Sequence, residues 1–510
     1  MMDFLPVLFL ACVCGGIFTP IMRRIALRIH FVDHPDGRRK LHLKPIALGG
    51  GVAVLCATVL SLITIWFCSP AFRAAFSLTP SVVLLGLLGS SMFIVGVGLI
   101  DDRHQLRGRQ KLFGQMIAVS ILMVSGLVVE QIQLFGWIIP LGLLSYPFTM
   151  FWLLGAINSL NLIDGLDGLA SSVGAILSLA IAAMAFMNGH EADAIIALGL
   201  CGALLGFLIY NFPPASIYLG DAGSMLIGLV VGALAIRSSI KTPATVALMA
   251  PTVIWAIPLF DVGMAILRRK LTGRSIYETD RGHLHHCLIR YGFSGQKTLL
   301  WIVLFCVITA IGAIVSVAHQ NEWMAIIAAS TVFGTLVISR LFGYAECMLL
   351  SSKLKSVLTS LIPLSRQYSN STRMPVHAQL TGTRDWHELW KTLTEYAERF
   401  DLSAVQLNVN LPSLNEEYHV NWNRRDRGPE QQQWTTDIPL LVDRVSVGRL
   451  RISGRSAEGS ICALMGELIA GLKPFEMQIS HLLSDQLCHL SVQESRPREA
   501  SQKLVGSEFQ

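Results

Sequence analysis

The chain has 510 residues and a formal net charge of +6, with 52% hydrophobic residues and only 15% charged ones; an ordinary soluble domain keeps about 25% charged. Most of it is therefore surrounded by something other than water. Its basic residues are scattered over loops with no stripe of interleaved aromatics, which excludes a nucleic-acid binder. Ten cysteines include no CxxC pair, and Cys12, Cys14, Cys56, Cys201 and Cys306 sit inside apolar runs, so they read as small apolar filler.

The first apolar run, 4–22, is preceded only by Asp3 and followed by Arg23, Arg24 and Arg28, which predicts an uncleaved anchor, not a secretion signal. A spanning helix needs about 20 mostly apolar residues. Further spans are predicted at 48–68, 81–100, 112–130, 138–157, 170–187, 194–211, 222–236, 244–267, 298–318 and 323–342. The expected fold class is an all-α polytopic membrane protein of about eleven transmembrane helices with a C-terminal soluble α+β domain. When the loops are sorted by parity, eighteen Lys and Arg fall on one side and three (Arg73, Arg237 and Lys241) on the other. That asymmetry predicts that the first side, and the C-terminal region with it, is cytoplasmic.

Five polar clusters interrupt the apolar pattern, and all fall on the predicted cytoplasmic side. In order they are Asp33 to His42, Asp101-Asp102 to Lys111, Asn158 to Gly168, Asn211 to Ser224, and Asp280 to His286. Carboxylates at the ends of apolar spans are costly and mark function. Asp101, Asp102, Asp164, Asp167 and Asp221 would repel one another without a cation. Their oxygens suit a hard ion such as Mg²⁺, with Mn²⁺ as an alternative. Lys40, Lys111 and Arg281, with His283, His285 and His286, can bind phosphate oxygens. Acidic metal ligands beside phosphate clamps describe metal-assisted phosphoryl transfer. Asn158, Asn161, Asp164 and Asp167 are three apart, so adjacent members would share a helix face if the span reaches its glycine break.

Here the motifs DHPDGRRKLH, GLIDDRHQLRGRQK, NSLNLIDGLDGLA, YNFPPASIYLGDAGS and DRGHLHH become recognisable. The chain resembles the polyprenyl-phosphate N-acetylhexosamine-1-phosphate transferase superfamily over about residues 20–295, and the His-Leu-His-His motif is closer to its N-acetylglucosamine branch. The resemblance implies that a polyprenyl-phosphate oxygen attacks the β-phosphorus of a UDP-sugar and UMP leaves. It further implies that Asp221 and Asn161 hold Mg²⁺, and that Asp101 and Asp102 organise or deprotonate the lipid phosphate. Asp164 and Asp167 would lie at the nucleotide, and Lys111 with His283, His285 and His286 at the diphosphate and sugar. Lys40, His42, Asn158, Asn211 and Arg281 complete the expected substrate-binding set. The implied partners are a UDP-sugar donor, a polyprenyl phosphate acceptor (undecaprenyl phosphate) and the bilayer, with a homodimer left open. Two rival readings are a phospho-N-acetylmuramoyl-pentapeptide transferase and, from a different class, a polytopic transporter. Two departures stand out: Pro45-Ile-Ala-Leu-Gly-Gly-Gly51 lacks the family's usual arginine, and Ser216 stands where Arg is common.

Beyond Tyr344 the composition becomes ordinary. The expected division is a membrane catalytic domain at 1–344, a linker at 345–382, an α+β accessory domain at 383–492 and a disordered tail at 493–510. Within the third piece the pattern predicts a helix at 384–400, strands at 404–411, 417–423, 433–442 and 445–453, and a second helix at 460–492.

Overall fold

The computed structural model describes residues 5–33, 45–242, 245–272, 282–344, 346–348, 350–351, 376–381, 386–400, 402–411, 416–423, 433–442, 445–455 and 475. Lys40, His42, Arg281, the predicted helix 460–492 apart from Phe475, and the tail 493–510 lie outside the described residues.

Chain contacts divide the protein into two units, 1–267 with 276–344, and 268–275 with 345–510. The first is helical. Its helices are α1 (Leu5–Arg28), α2 (Gly50–Cys68), α3 (Pro70–Ser77), α4 (Ser81–His104), α5 (Gly108–Val124), α6 (Ser145–Ile163) and α7 (Leu169–Met187). They are followed by α8 (Glu191–Asn211), α9 (Gly220–Ser238), α10 (Met249–Ile254), α11 (Ala256–Thr272), α12 (Leu284–Arg290), α13 (Gly295–Ala318) and α14 (Glu322–Ile338). Eight of these segments are long and apolar enough to cross a membrane, so this is a multi-pass membrane protein. The other three predicted spans coincide with shorter helices: α5 and α14, of 17 residues each, and the broken pair α10–α11.

Three predicted boundaries need correction. The span drawn at 112–130 stops at Val124, where Gly126 takes φ 104°. Residues 138–140, placed at the start of the 138–157 span, belong instead to the strand Trp137–Pro140, and the helix starts at Ser145. The span drawn at 244–267 begins with strand Thr245–Ala247 and breaks at Trp255. Pro258 then falls in the first turn of α11, where its missing N–H costs nothing. The strands at these breaks join into one four-stranded sheet, in the order 137–140, 131–134, 245–247, 240–242. Closing the sheet satisfies the backbone groups that the interrupted helices release.

Helices α7, α8 and α9 are the most enclosed, and α9 packs against α2, α4, α6 and α7. Hydrophobic transfer does not drive such packing inside lipid; close van der Waals fit does. Gly98 supplies it where α4 meets α9: a Cβ there would lie 2.2 Å from Ala222 Cα. The loop between α8 and α9 is tied to the chain before α2, with Tyr218 N–H donating to Ala47 O at 2.8 Å and Gly50 N–H to Tyr218 O at 3.1 Å. Arg23 of α1 donates from Nε to the Ser216 carbonyl at 3.1 Å, so this loop gains a basic contact from elsewhere at the position of its departure from the family.

In the second unit, helix Trp386–Arg399 accompanies an antiparallel five-stranded sheet. Its strand order is Gln433–Val442, Val445–Arg455, Ala404–Leu411, Glu416–Asn423, Val376–Thr381. The last strand lies inside the stretch read as a linker. The helix buries Trp386, Leu389, Trp390 and Leu393 in a core with Val405, Leu407, Val409, Val420 and Leu450.

Candidate active site

Four helix ends meet at one polar cluster. Asp101, at the end of α4, accepts the Leu106 N–H at 2.8 Å, which fixes the turn into α5. That turn delivers Lys111 one helical turn into α5, with Nζ 2.8 Å from Asp101 Oδ2 and 3.1 Å from Asp221 Oδ2. Asp221 opens α9, and Asn161 lies in the last turn of α6. Asn161 Nδ2 donates to Asp221 Oδ1 at 2.5 Å and to Ser224 Oγ at 3.0 Å. The side chain of Asp221 is 33% exposed and that of Asp101 only 7%. Asp221 is thus the carboxylate of the pair that can face a ligand.

Asp102 sits beside this cluster, at the start of α9. Its Oδ1 accepts the Asp221 N–H at 2.8 Å and its Oδ2 faces the Ala222 N–H at 3.4 Å. A carboxylate at a helix start satisfies free N–H groups and complements the helix dipole. Asp102 therefore holds α9, and with it Asp221, in place. Gly220 makes this possible: its φ is 73°, and a Cβ would lie 2.6 Å from Asp102 Oδ2.

The expected helical stripe Asn158–Asn161–Asp164–Asp167 is broken. Helix α6 ends at Ile163, because the Gly165 N–H turns back onto Ile163 O at 2.7 Å. Only Asn158 and Asn161 remain helical. Asn158 exchanges amide hydrogen bonds with Gln115 at 2.9 and 3.2 Å, and Gln115 also faces Met225 Sδ at 3.3 Å. This clasp joins α5, α6 and α9 and occupies both ends of the Asn158 side-chain amide. Asn211 is likewise buried, accepting from Ser171 Oγ at 2.8 Å and donating to Ile217 O at 3.0 Å. Asp167 accepts the Ala215 N–H at 2.9 Å and so anchors the same loop. Asp164, half-buried, stays at the cluster. Burial and the negative fields of Asp221, Asp102 and Asp167 push its carboxyl well above the usual carboxylate range.

A second group meets the loop after α6. His283 precedes α12, and its Nδ1 lies 2.8 Å from Asp261 Oδ2, while Asp261 Oδ1 accepts the Leu284 N–H at 2.7 Å. Asp261, fully buried in α11, is the main residue that the motif reading missed. A lone carboxylate in the apolar run Ala256–Leu267 was the signal for it. His285 is 2% exposed with no hydrogen-bond partner on either ring nitrogen among the described residues. A Cβ on Gly165 would lie 2.6 Å from its Nε2, so the histidine motif and the Asp-Gly loop are neighbours. Burial, then His286 and His283, push the His285 imidazole down to about 3. His286, beside it, is half-buried, its ring centroid 4.2 Å from that of His285.

Among the described residues no three His, Cys, Asp or Glu side chains form a complete metal cage. The donors that converge are oxygens on Asp101, Asp221 and Asn161, which fits Mg²⁺: that ion takes one or two protein carboxylates and fills its shell with water and phosphate.

A family model described as glycosyl transferase family 4 matches residues 84–239, a span that carries the α4, α6 and α9 motifs. A probable undecaprenyl-phosphate N-acetylglucosaminyl 1-phosphate transferase of Bacillus subtilis is 33% identical over 301 residues, covering 59% of this chain and 81% of the relative. The chain belongs to glycosyl transferase family 4. A decaprenyl-phosphate N-acetylglucosaminephosphotransferase of Mycobacterium leprae is 32% identical over 321 residues, 58% of this chain and 79% of the relative. An undecaprenyl-phosphate alpha-N-acetylglucosaminyl 1-phosphate transferase of Escherichia coli K12 is 28% identical over 341 residues, 65% of this chain and 87% of the relative.

Proposed function

We propose that this enzyme transfers N-acetylglucosamine 1-phosphate from its UDP-linked donor to undecaprenyl phosphate, initiating a lipid-linked envelope glycan. The relatives' names support the reaction class. The observation that carries it to this chain is the convergence of Asp101, Lys111, Asp221 and Asn161 from four helix ends. A transporter would instead place charged groups near the bilayer midplane.

In the proposed reaction a phosphate oxygen of the lipid bonds to the β-phosphorus of the donor, the bridging P–O bond breaks, and UMP leaves with that oxygen. Such transfer relies on positioning and charge stabilisation more than on covalent chemistry. Asp221 and Asn161 would hold Mg²⁺, with Mn²⁺ as a substitute; when bound, the ion neutralises charge on the diphosphate. Lys111 is already balanced between Asp101 and Asp221 and can shift toward a phosphate oxygen. Asp101 orients Lys111 and the α4–α5 turn, and Asp102 keeps Asp221 aimed. His283, fixed by Asp261, directs its other ring nitrogen away from that carboxylate, so it can meet a phosphate or sugar oxygen. Asp164 and His286 fall within the same neighbourhood and complete the donor side.

The site is proposed to face the cytoplasm, with eleven crossings. The asymmetry of basic residues supports this, and Arg237, one of the three on the sparse side, is paired with Asp193 at 2.7 Å. Single-cysteine labelling at Gly108, Gly273 and Ser495 should report the cytoplasm, and at Ala71 and Gly189 the opposite side. The decisive assay incubates purified protein with undecaprenyl phosphate, Mg²⁺ and either UDP-N-acetylglucosamine or UDP-N-acetylmuramoyl-pentapeptide. UMP should appear with the first donor; preferential use of the second would place the enzyme with the cell-wall branch.

A further inference from the structure

A cavity of about 500 Å³ lies among α2, α3, α4, α8 and α9. Its walls include Val59, Leu62, Leu84, Leu87, Leu200 and Val230. Along α4, Leu84 is 17 residues before Asp101, about 25 Å at 1.5 Å per residue. On α9 the lining reaches back to Leu226, five residues or about 7.5 Å from Asp221, so the cavity runs from the far end of the bundle toward the polar cluster.

The walls offer an occupant almost no polar group. Thr58, on the lining, spends its hydroxyl on the Val54 carbonyl of its own helix at 2.9 Å. Aqueous solutes and sugar headgroups therefore have nothing to bind, whereas a hydrocarbon chain does. The volume falls in the roughly 300–1,000 Å³ range of small-molecule sites. The lining side chains Ile63, Trp66, Phe67 and Leu88 are also 37–67% exposed along helices of membrane-crossing length, so the cavity opens where lipid chains lie.

At the same end sits Arg73, on α3. Helix α3 packs Phe72 and Ala75 inward, and Phe76 lines the cavity. Arg73 points outward on the exposed face, and its Nη1 donates to the carbonyl of Phe67, another lining residue, at 3.3 Å. An amphipathic helix with a basic residue beside a tryptophan is built for the headgroup level of a bilayer.

We infer that this cavity holds an acyl chain of a membrane phospholipid whose phosphate is bound by Arg73, at the end of the bundle away from the reaction. The acceptor lipid differs in where its phosphate must lie, at the Asp101–Asp221 cluster and not at Arg73. The bound lipid would fill the gap among α2, α4, α8 and α9 and stabilise the packing that positions α4 and α9.

The test uses the purified full-length chain in detergent and native mass spectrometry, titrated with dioleoyl phosphatidylglycerol or with dioleoylglycerol, which lacks the phosphate. One phosphatidylglycerol should bind about tenfold more tightly than the diacylglycerol, as a charge-assisted contact implies. Arg73→Ala should abolish that preference. Leu84→Trp, which fills the cavity, should weaken both lipids about tenfold, a loss of packing rather than of charge; Val59→Phe serves if Leu84→Trp does not fold. UMP release at saturating substrates should be unchanged in all three variants, so failure here is separable from failure of the catalytic assignment. Binding that the cavity variants leave unchanged would overturn the inference, as would competitive displacement of the phosphatidylglycerol by undecaprenyl phosphate.

Discussion

Helix α9 carries an ion pair at each end, and the two could hardly be less alike. At its finish Arg237 meets Asp193 of α8 at 2.7 Å, one base to one acid, with side chains 16% and 2% exposed. At its start, 16 residues or about 24 Å away, Asp221 shares the single ammonium of Lys111 with Asp101, while Asp102 and Asp164 add two further carboxyl groups nearby. The far pair is closed and needs nothing more. The near cluster has more acid than base, and of the two carboxylates on Lys111 the one on α9 is the more accessible. A buried pair that balances is a structural device; a set with more acid than base is where the proposed metal and phosphates would bring the missing charge.

The comparison breaks most sharply at Asp221. Asp221→Asn keeps the size and the hydrogen bond from Asn161 but removes the charge. Loss of a metal-binding carboxylate should cost several kcal/mol of transition-state stabilisation, about a thousandfold in turnover. The protein should still insert and melt normally. Retention of more than roughly a tenth of wild-type UMP release at saturating Mg²⁺ would remove Asp221 from the metal site, since one decade is only about 1.4 kcal/mol.

Lys111 sharpens the same point from the other side. Its ammonium is the only cation among the described residues bridging Asp101 and Asp221. Lys111→Met should lower turnover about ten- to a hundredfold, as expected for a lost hydrogen bond to a charged group. The concentration of Mg²⁺ giving half-maximal rate should fall, because the carboxylates lose their resident competitor. A higher Mg²⁺ requirement would mean that Lys111 helps assemble the metal site instead of competing for it.

How much of this was legible in the sequence follows from what each feature depends on. Apolar runs of about 20 residues are set by the bilayer, so the helices emerged from hydropathy alone. The segments at 124–145 and 245–256 were misread because their strands are apolar too: Trp137, Ile138 and Ile139 resemble the start of a span, and only pairing with 131–134 reveals the sheet. The cluster residues were visible because carboxylates at the ends of spans are rare. Their division of labour was not. Asp101 and Asp102 are adjacent, yet one binds Lys111 and the other holds the start of α9, a difference made by α9's position 119 residues on. Asn158 reads as a substrate-binding residue; that Gln115 meets both ends of its side chain depends on how α5 packs against α6 and cannot be read from spacing.

At the closed end of α9 the expected effect is on stability and not on chemistry. Asp193→Asn strands the Arg237 charge in the helix interior, and breaking one side of a buried pair costs about 3–5 kcal/mol. The double variant Asp193→Asn/Arg237→Met should recover part of that loss, because no unpaired charge remains. Melting in detergent measures both. The Michaelis constants for donor and lipid should not move, in contrast to the variants at the other end. If Asp193→Asn lowered turnover as Asp221→Asn does while melting normally, the distinction between a structural and a reactive end would fail.

The smallest effect is expected from pH, at His285. Its imidazole is held down to about 3 by burial and by its histidine neighbours, against an unperturbed value near 6.5. The unfolded chain takes up a proton below about 6.5 that the folded site refuses until about 3. Stability from this residue is therefore complete above about pH 6.5 and declines as pH falls, by about 2 kcal/mol at pH 5. His285→Asn, which has no titrating ring, should flatten the acid side of the melting-temperature profile and leave the neutral side parallel to wild type. The same reasoning makes His285 neutral throughout the range in which the enzyme would work, so an acid limb in the rate near pH 6 must come from another group. If His285→Asn shifted that limb, its ring would have to titrate near 6, and the burial that sets it apart from His286 would not govern its charge.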